Sequence, residues 1–349
     1  MSNRSLLAVI AVLVFVCMCS AAFAVDVSSL EIRGSRLTAE EAESLEKQIE
    51  KDPNDISSRT ILLSYYSRRQ YQDKSAREAK QKHVLWLIMN SPEAEVLTTP
   101  NGRLDSFLEK EAYSQGKEAW INQLKKKPEN LKLLESSANF FLQHDRELAE
   151  QSLQKARSLD MKNPKWPKQL GLLYSLGMMR KSLTAKTDAA GKALEQYEIA
   201  YELSTESQRD ALLQSLAKAA LAAGKNEKAK EYAEKMLSRN SPGWNYGNNI
   251  HFGNIILGKM ALASNDIEQA KKYLIEAGKT PGSPQLNSFG PDMSLANELL
   301  QKGEKDVVLE YFELCSKFWK REGYLQKLNK WSAEVKEDKI PDFGFNLNR

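Results

Sequence analysis

The side chains with the greatest chemical potential in this sequence are few and far apart. Three histidines, His83, His144 and His251, stand alone: none belongs to a His-x-x-x-His pair or lies near a cysteine, the spacings that metal sites use. Two of the three cysteines, Cys17 and Cys19, lie in an apolar segment near the N-terminus. We therefore expect structural or surface roles for the histidines, and we predict neither a metal site nor a cofactor.

Motifs of the common enzyme classes are absent as well. The sequence has no Gly-x-Ser-x-Gly elbow, no P-loop and no dinucleotide-binding glycine pattern in a strand context. Adjacent acids such as Glu40-Glu41 fall where helices should begin, and the helix dipole favours carboxylates there. The net charge is only +4, and the basic run Lys125-Lys126-Lys127 is too short for a nucleic-acid surface. These features favour a non-catalytic protein that does not bind nucleic acid.

The first 24 residues have the organisation of a signal peptide. Arg4 is followed by the apolar run 6–19 and then by Ala22-Phe23-Ala24, a small-x-small site of the kind that signal peptidases accept. Cleavage there predicts a periplasmic or secreted protein with no stable membrane span and with Cys315 as its remaining cysteine. The alternative is an uncleaved N-terminal anchor through residues 6–25, a stretch barely long enough to span a bilayer.

Beyond residue 36 the sequence predicts helices and no convincing β-strand. Ala, Leu, Glu, Lys and Gln dominate, and apolar residues recur three and four positions apart. The prolines that lie between the helical stretches are Pro53, Pro92, Pro128, Pro164, Pro242 and Pro281. Prolines at such places stop one helix before the next begins, and interruptions at such short intervals indicate an internal repeat.

A repeat is clearest in Leu170-Gly171-x-x-Tyr174 and Ala193-x-x-x-Tyr197-x-x-Ala200. This combination resembles the tetratricopeptide pattern, with Leu-Gly-x-x-Tyr on a first helix and small residues on a second. The family's spacing between the first-helix Leu and the second-helix Ala recurs at Leu216/Ala229, Leu257/Ala270 and Leu295/Val308. Between Leu170 and Ala193 it is longer, which we interpret as an insertion at 180–191 between the paired helices. The resemblance implies an all-α fold, in which antiparallel helix pairs stack into a right-handed α-solenoid.

The stretch from Trp244 to Trp319 is also similar to a segment of exported, uncharacterised bacterial proteins of this repeat class. The residues that carry this similarity are Trp244-Asn245-Tyr246-Gly247-Asn248 with His251, and Thr280-Pro281-Gly282-Ser283-Pro284. The similarity implies a bacterial source and supports the repeat fold, but it implies no activity.

These patterns predict five segments along the chain. Residues 1–24 are the signal peptide, 25–37 an extended linker, and 38–129 an N-terminal helical region with degenerate repeats. The clear repeat array spans 130–322, and residues 323–349 form a C-terminal capping helix and tail. Turns between paired helices are expected near Gly177, Gly224, Asn265 and Gly303.

The resemblance also points to a binding surface. In the family, the fifth and ninth positions of each first helix face the concave side of the solenoid, and here they include Lys168, Gln214, Lys218, Lys259 and Asn297. Family members that hold a peptide carboxylate use Lys and Asn there, although Leu172, Ile255 and Met293 are apolar where that site would be polar. We therefore predict a scaffold that binds a protein or peptide in this groove.

A loop rich in aromatic residues suggests an alternative function. It contains Trp244 and Tyr246, and His251 lies just beyond it. Exposed, adjacent rings at this place would favour a glycan- or nutrient-capturing accessory module, because sugars stack on flat aromatic rings.

The loop 278–293 is the other candidate binding element. It holds three prolines together with Gly282 and Gly290, so it cannot continue a helix and its conformations are restricted. We predict an ordered loop that is anchored on the helices by Leu286 or Phe289.

Overall fold

The chain is helical throughout the part that the structure describes. The structure is a computed structural model, and it describes residues 26–177, 182–239 and 243–347. Within these ranges eighteen α-helices and three short 3₁₀-helices follow one another without a β-strand. The signal peptide predicted at 1–24 lies outside them. No helix in these ranges is both long enough and apolar enough to cross a membrane.

The chain divides into two compact units, and we describe each unit separately. Unit 1 ends at Asp145 and unit 2 begins at Arg146. The division therefore falls inside the region 130–322 that we predicted as one array. The helices of unit 1 are α1 (Val27–Gly34), α2 (Ala39–Lys51), α3 (Ile56–Arg69), α4 (Lys74–Asn90), α5 (Lys110–Lys126) and α6 (Leu131–Phe141).

Helix α1 replaces the extended linker that we predicted for residues 25–37, so that prediction is wrong. The carboxylate of Asp26 caps the helix by accepting a hydrogen bond from the N–H of Ser28 at 3.3 Å. The helix packs against α3, and Gly34 permits the close approach, because a Cβ there would collide with the backbone of Ile61. The helix has only 8 residues, too few for a helical spacing of apolar residues to be recognised in the sequence.

The helices of unit 2 pack in order along the chain. They are α7 (Arg146–Leu159), α8 (Lys165–Gly177), α9 (Leu183–Leu203), α10 (Glu206–Asp210), α11 (Leu213–Ala222), α12 (Asn226–Leu237), α13 (Tyr246–Ala263), α14 (Ile267–Gly278), α15 (Pro284–Phe289), α16 (Ser294–Leu300), α17 (Lys305–Ser316) and α18 (Glu322–Lys336). The antiparallel pairs are α8 with α9, α11 with α12, α13 with α14, and α16 with α17. Successive pairs contact each other, as the α-solenoid prediction requires.

Tight turns join three of these pairs where the sequence predicted them. Gly224, Asn265 and Gly303 have positive φ values of 69°, 63° and 86°. In each turn the N–H of the following residue donates to a carbonyl five residues earlier, at 2.8–3.1 Å, which is a common way to end a helix. The turn predicted near Gly177 lies partly outside the described residues. The extra residues that we assigned to an insertion instead lengthen α9, which has 21 residues.

Small residues make the close helix contacts of unit 2. A Cβ at Gly171 would lie 2.7 Å from the ring of Tyr197, so the Leu-Gly step lets the second helix approach the first. Gly258 plays the same part beside the side chain of Leu295. Ala229 is 0% exposed, so we expect that a larger side chain would not fit at this position.

The residues after α18 fold back over unit 2. Phe343 is buried, and Trp331 Nε1 donates to the carbonyl of Asp342 at 3.2 Å. Asn346 accepts a hydrogen bond from the N–H of Met293 at 2.7 Å and donates from its side chain to the carbonyl of Pro291 at 2.8 Å. The tail therefore holds the segment that connects α15 to α16.

Candidate functional site

The groove residues predicted from the sequence lie on one helix of each pair in unit 2. Lys168 is on α8, Gln214 and Lys218 on α11, Lys259 on α13, and Asn297 on α16. We call the accessible side of these four helices the first-helix face. Lys168 is exposed, and the other four residues are half-buried.

Two of the three lysines on this face are already paired with carboxylates of the same chain. Lys218 Nζ lies 3.3 Å from Asp292 Oδ2 and 4.5 Å from the ring centre of Phe252. Lys259 Nζ lies 3.0 Å from Glu298 Oε1. A ligand carboxylate would have to displace these partners, so the geometry weakens the idea that both lysines grip a peptide terminus.

A recess of about 260 Å³ opens on the first-helix face beside Lys168. Its lining comes from α8, α9, the residues just before α11, and α11 itself, and comprises Lys165, Lys168, Gln169, Leu172, Tyr197, Ala211, Leu212 and Ser215. Sequence reasoning selected Lys168 but missed the rest. The apolar Leu172, at a position where the family's carboxylate site is polar, was the available signal.

Tyr197 is the most polar of the buried groups in this lining. It is 4% exposed, and its hydroxyl accepts a hydrogen bond from Ser175 Oγ at 3.3 Å. Burial raises the pKa of Tyr197 above its ordinary value, although hydrogen bonds with Ser175 and Ser215 oppose the shift. The raised pKa favours the neutral phenol, which acts here as a hydrogen-bonding group.

The aromatic loop and the proline-rich loop lock together through polar contacts. Ser283 Oγ donates to Asn248 Oδ1 at 2.6 Å, and Thr280 Oγ1 donates to the carbonyl of Gly247 at 2.8 Å. A Cβ at Gly247 would collide with the backbone of Gly282, so only glycine permits this contact. The two segments that carry the second sequence similarity are therefore one structural element.

His251 fixes this element from inside. Its Nε2 accepts a hydrogen bond from the N–H of Asp292 at 2.9 Å, so Nδ1 carries the proton and donates to the carbonyl of Ala277 at 3.1 Å. The ring is fully buried. We predicted His251 as a binding residue, and that is wrong because both nitrogens face the backbone of the core.

The proline-rich loop is ordered, and Leu286 anchors it. Ser283 caps the short helix α15 by accepting from the N–H of Leu286 at 3.0 Å. Leu286 is fully buried and cannot contact a partner, so its selection as a binding residue is also wrong. Phe289 is 62% exposed and therefore does not anchor the loop, but it remains accessible.

The aromatic pair differs from what a flat sugar platform would need. Trp244 is 73% exposed, whereas Tyr246 is half-buried at the start of α13. Trp244 alone therefore presents a large open ring on this loop.

The other histidines serve the fold of unit 1. Arg59 Nη1 lies 3.1 Å from His83 Nδ1, and because arginine can only donate, Nε2 of His83 carries the proton toward Glu46 Oε1 at 2.8 Å. His144 Nδ1 lies 2.9 Å from Ser106 Oγ. These contacts occupy both ring nitrogens of His83 and Nδ1 of His144, whereas Nε2 of His144 is buried without a hydrogen-bond partner among the described residues.

The residue types of a hydrolase triad occur beside His144, but not its geometry. Asp105 Oδ2 lies 3.7 Å from His144 Nε2, too far for a hydrogen bond. The other oxygen of Asp105 accepts from the N–H groups of Phe107 and Leu108, as in an ordinary turn. Cys315 is a buried free thiol, and its burial raises the pKa of the thiol, which disfavours the thiolate. Within the described ranges, no group of three or more His, Cys, Asp or Glu side chains is arranged to hold a metal ion.

Comparison with known proteins gives neither a family nor a function for this chain. No protein-family model and no curated protein matches the chain. Among solved structures, one described as the functional characterisation of Pseudomonas aeruginosa PilF is 15% identical, with a TM-score of 0.39. The match covers 73% of this chain and 98% of that chain. A likeness of this size identifies neither a family nor a ligand.

Proposed function

We propose that this chain is an exported, non-catalytic scaffold that binds a protein or an extended peptide on the first-helix face of unit 2. The observation that carries the proposal is the accessibility of this face. Lys168 and Leu172 are exposed there, and Gln214 and Asn297 are half-buried. Both ring nitrogens of His83 and of His251, by contrast, make contacts inside the fold.

The helix pairs suit this role because they present side chains from several helices on a rigid frame. The face is held by buried alanine and glycine contacts between helices, so it needs little ordering when a partner binds. Binding to a preformed surface loses less conformational entropy than binding to a flexible one. An extended segment that crosses α8, α11, α13 and α16 would contact all four helices.

Site-specific photo-crosslinking in a bacterial host tests this function. The crosslinking amino acid would replace Leu172 or Gln214 on the first-helix face, or Glu227 on the exposed side of α12 as the matched control. We expect discrete protein adducts from the first two positions and none from the third. Identical adducts from all three positions, or none from any, would overturn the proposal.

Export is tested by the mass of the chain in cell fractions. Cleavage after Ala24 would give a periplasmic or secreted protein that begins at Val25. A full-length chain retained in the membrane fraction would instead support the alternative anchor through residues 6–25.

The exposed ring of Trp244 favours a second candidate function, the capture of glycans. Affinity electrophoresis in gels that contain soluble polysaccharides tests it directly. Retardation of the native chain that disappears in Trp244→Ala, but not in Tyr71→Ala at an exposed tyrosine of unit 1, would support this function. Equal mobility with and without polysaccharide would remove it.

A further inference from the structure

The recess beside Lys168 exposes an apolar surface on a helix that otherwise buries its apolar residues. Trp166, Leu170 and Leu173 of α8 are buried, whereas Leu172 is 45% exposed at the recess. An apolar side chain that entered the recess would cover the surface of Leu172 and lose its own contact with water, and both changes favour binding.

The size of the recess suits one side chain. Its volume is about 260 Å³. It lies below the range of about 300–1,000 Å³ that is typical of small-molecule and cofactor sites. A single large aliphatic or aromatic side chain of an extended peptide fits this volume better than a whole metabolite.

The charge around the recess is positive. Two lysines and no acidic residue belong to its lining. Lys168 is exposed and makes no ion pair with the described residues, in contrast to Lys218 and Lys259. Lys165 Nζ lies 5.1 Å from the ring centre of Trp166. Acidic residues next to the inserted side chain would complement the charge of Lys168 at the rim of the recess.

We propose that this recess binds an apolar side chain flanked by acidic residues in an extended segment of a partner protein. The inference rests on the binding function proposed above and names the chemistry of its ligand. The inserted side chain contacts Leu172 and Tyr197, and the neighbouring carboxylates lie near Lys168.

Selection from a library of short random peptides tests the inference on the full chain. The peptides are displayed as internal segments, so that no free C-terminal carboxylate takes part. We expect the selected sequences to share an apolar residue with Asp or Glu beside it. Selected peptides without this pairing would overturn the inference.

Fluorescence anisotropy with a labelled, selected peptide then locates the site. Leu172→Glu and Lys168→Glu should each weaken the affinity by at least about tenfold, and added salt should weaken binding to the native chain. Lys230→Glu, at an exposed lysine of α12, is the matched control and should bind as the native chain does. Unchanged affinity in both recess variants would overturn the inference.

Two further results keep the outcomes separate. Thermal denaturation checks that each variant is folded. If Leu172→Glu does not fold, the test rests on Lys168→Glu, which should fold because Lys168 is exposed. Groove-specific crosslinks together with peptides that ignore both recess variants would refute the recess site and leave the scaffold function standing. Absence of the crosslinks would refute both.

Discussion

Units 1 and 2 are built from the same kind of helices but have different interiors. Among the described residues of unit 1, Arg59, Lys80 and Glu109 are buried charged side chains, whereas in unit 2 Asp292 is the buried charged residue. Unit 2 relies on alanines and glycines between helices and on aromatic rings near α18. The resemblance to the tetratricopeptide pattern is clear where alanines, glycines and aromatic rings fill the interior. It is weak where buried charged side chains occupy the interior instead.

The largest expected effect comes from breaking the buried ion pair of unit 1. Lys80 Nζ lies 3.3 Å from Glu109 Oε2, and burial lowers the pKa of Lys80 even though Glu109 opposes the shift. Glu109→Ala leaves a buried ammonium that keeps its hydrogen bond to Gln70 Oε1 but has lost its countercharge, and we expect a loss of about 3–5 kcal/mol in the free energy of unfolding. Urea denaturation followed by circular dichroism measures this loss.

The double variant Lys80→Met/Glu109→Leu is the control for that experiment. Replacing both charges with apolar side chains of similar size removes the unpaired ammonium, so most of the lost stability should return. If Glu109→Ala is as stable as the native chain, the interior of unit 1 does not depend on this pair.

A steric substitution is the corresponding test of unit 2. Ala229→Trp inserts a large ring where α11 and α12 meet, and we expect a loss of about 1–3 kcal/mol or more. Lys230→Trp places the same ring at the next, exposed residue of α12 and should have little effect. Coincident thermal melts of Ala229→Trp and the native chain would show that Ala229 is not at the helix contact.

Acid should weaken unit 1 through its carboxylates. Burial raises the pKa of Asp145, but hydrogen bonds from Lys117 and Tyr113 outweigh it and bring the pKa below the usual value. The pKa of Glu46 is lowered in the same way, against the effect of burial, by His83 and Tyr66. A folded-state pKa below that of the unfolded chain means stability that is present above about pH 4 and lost as the pH falls through the folded value.

Hydrogen exchange with mass spectrometry reads this acid effect separately in the two units. After correction for the intrinsic exchange rate, peptides from residues 26–145 should lose protection at a higher pH than peptides from the mainly apolar core of unit 2. Equal loss in both sets would contradict the contrast between the two interiors.

The smallest expected effect concerns a type of hydrogen bond that occurs within each of the two units. Tyrosine hydroxyls donate to carboxylates on other helices or turns in the pairs Tyr66–Glu46, Tyr113–Asp145, Tyr174–Glu150 and Tyr232–Glu198. Burial, followed by the hydrogen bond to Glu150, raises the pKa of Tyr174 to about 12. A raised pKa gives stability that is complete below about pH 10 and is lost as the pH rises through the folded value.

Tyr174→Phe tests that contact. We expect a loss of about 0.5–1 kcal/mol at pH 8, modest because the pair is partly exposed to solvent. The difference from the native chain should shrink at pH 11, where the unfolded tyrosine has already ionised. A difference that is the same at both pH values would show that the hydroxyl does not titrate as the structure implies.

The pairing of helices in unit 2 could be predicted because its signals are local. Gly171 and Tyr197 meet within one repeat, and the turns at Gly224 and Asn265 need only neighbouring residues. The burial of His251 could not be predicted in this way, because its partners Ala277 and Asp292 lie far along the chain.

The recess illustrates the same limit. An apolar residue at Leu172 was visible in the sequence, but it counted only as a departure from the carboxylate site of the family. Its position in a recess depends on Tyr197 from α9 and Ser215 from α11, which lie beside Leu172 only after the helices have packed. In unit 1, likewise, nothing local in the sequence brings Arg59 to His83.

The backbone contacts of Asn346 have a consequence for the order in which the chain folds. Residues 341–347 leave the ribosome after every element that they contact, including Met293 and Trp331. Until then the carbonyl of Pro291 and the N–H of Met293 lack the partners they have in the finished fold. During synthesis α7 to α14 can pair as they emerge, but we expect the segment between α15 and α16 to take its final position last, when Asn346 arrives.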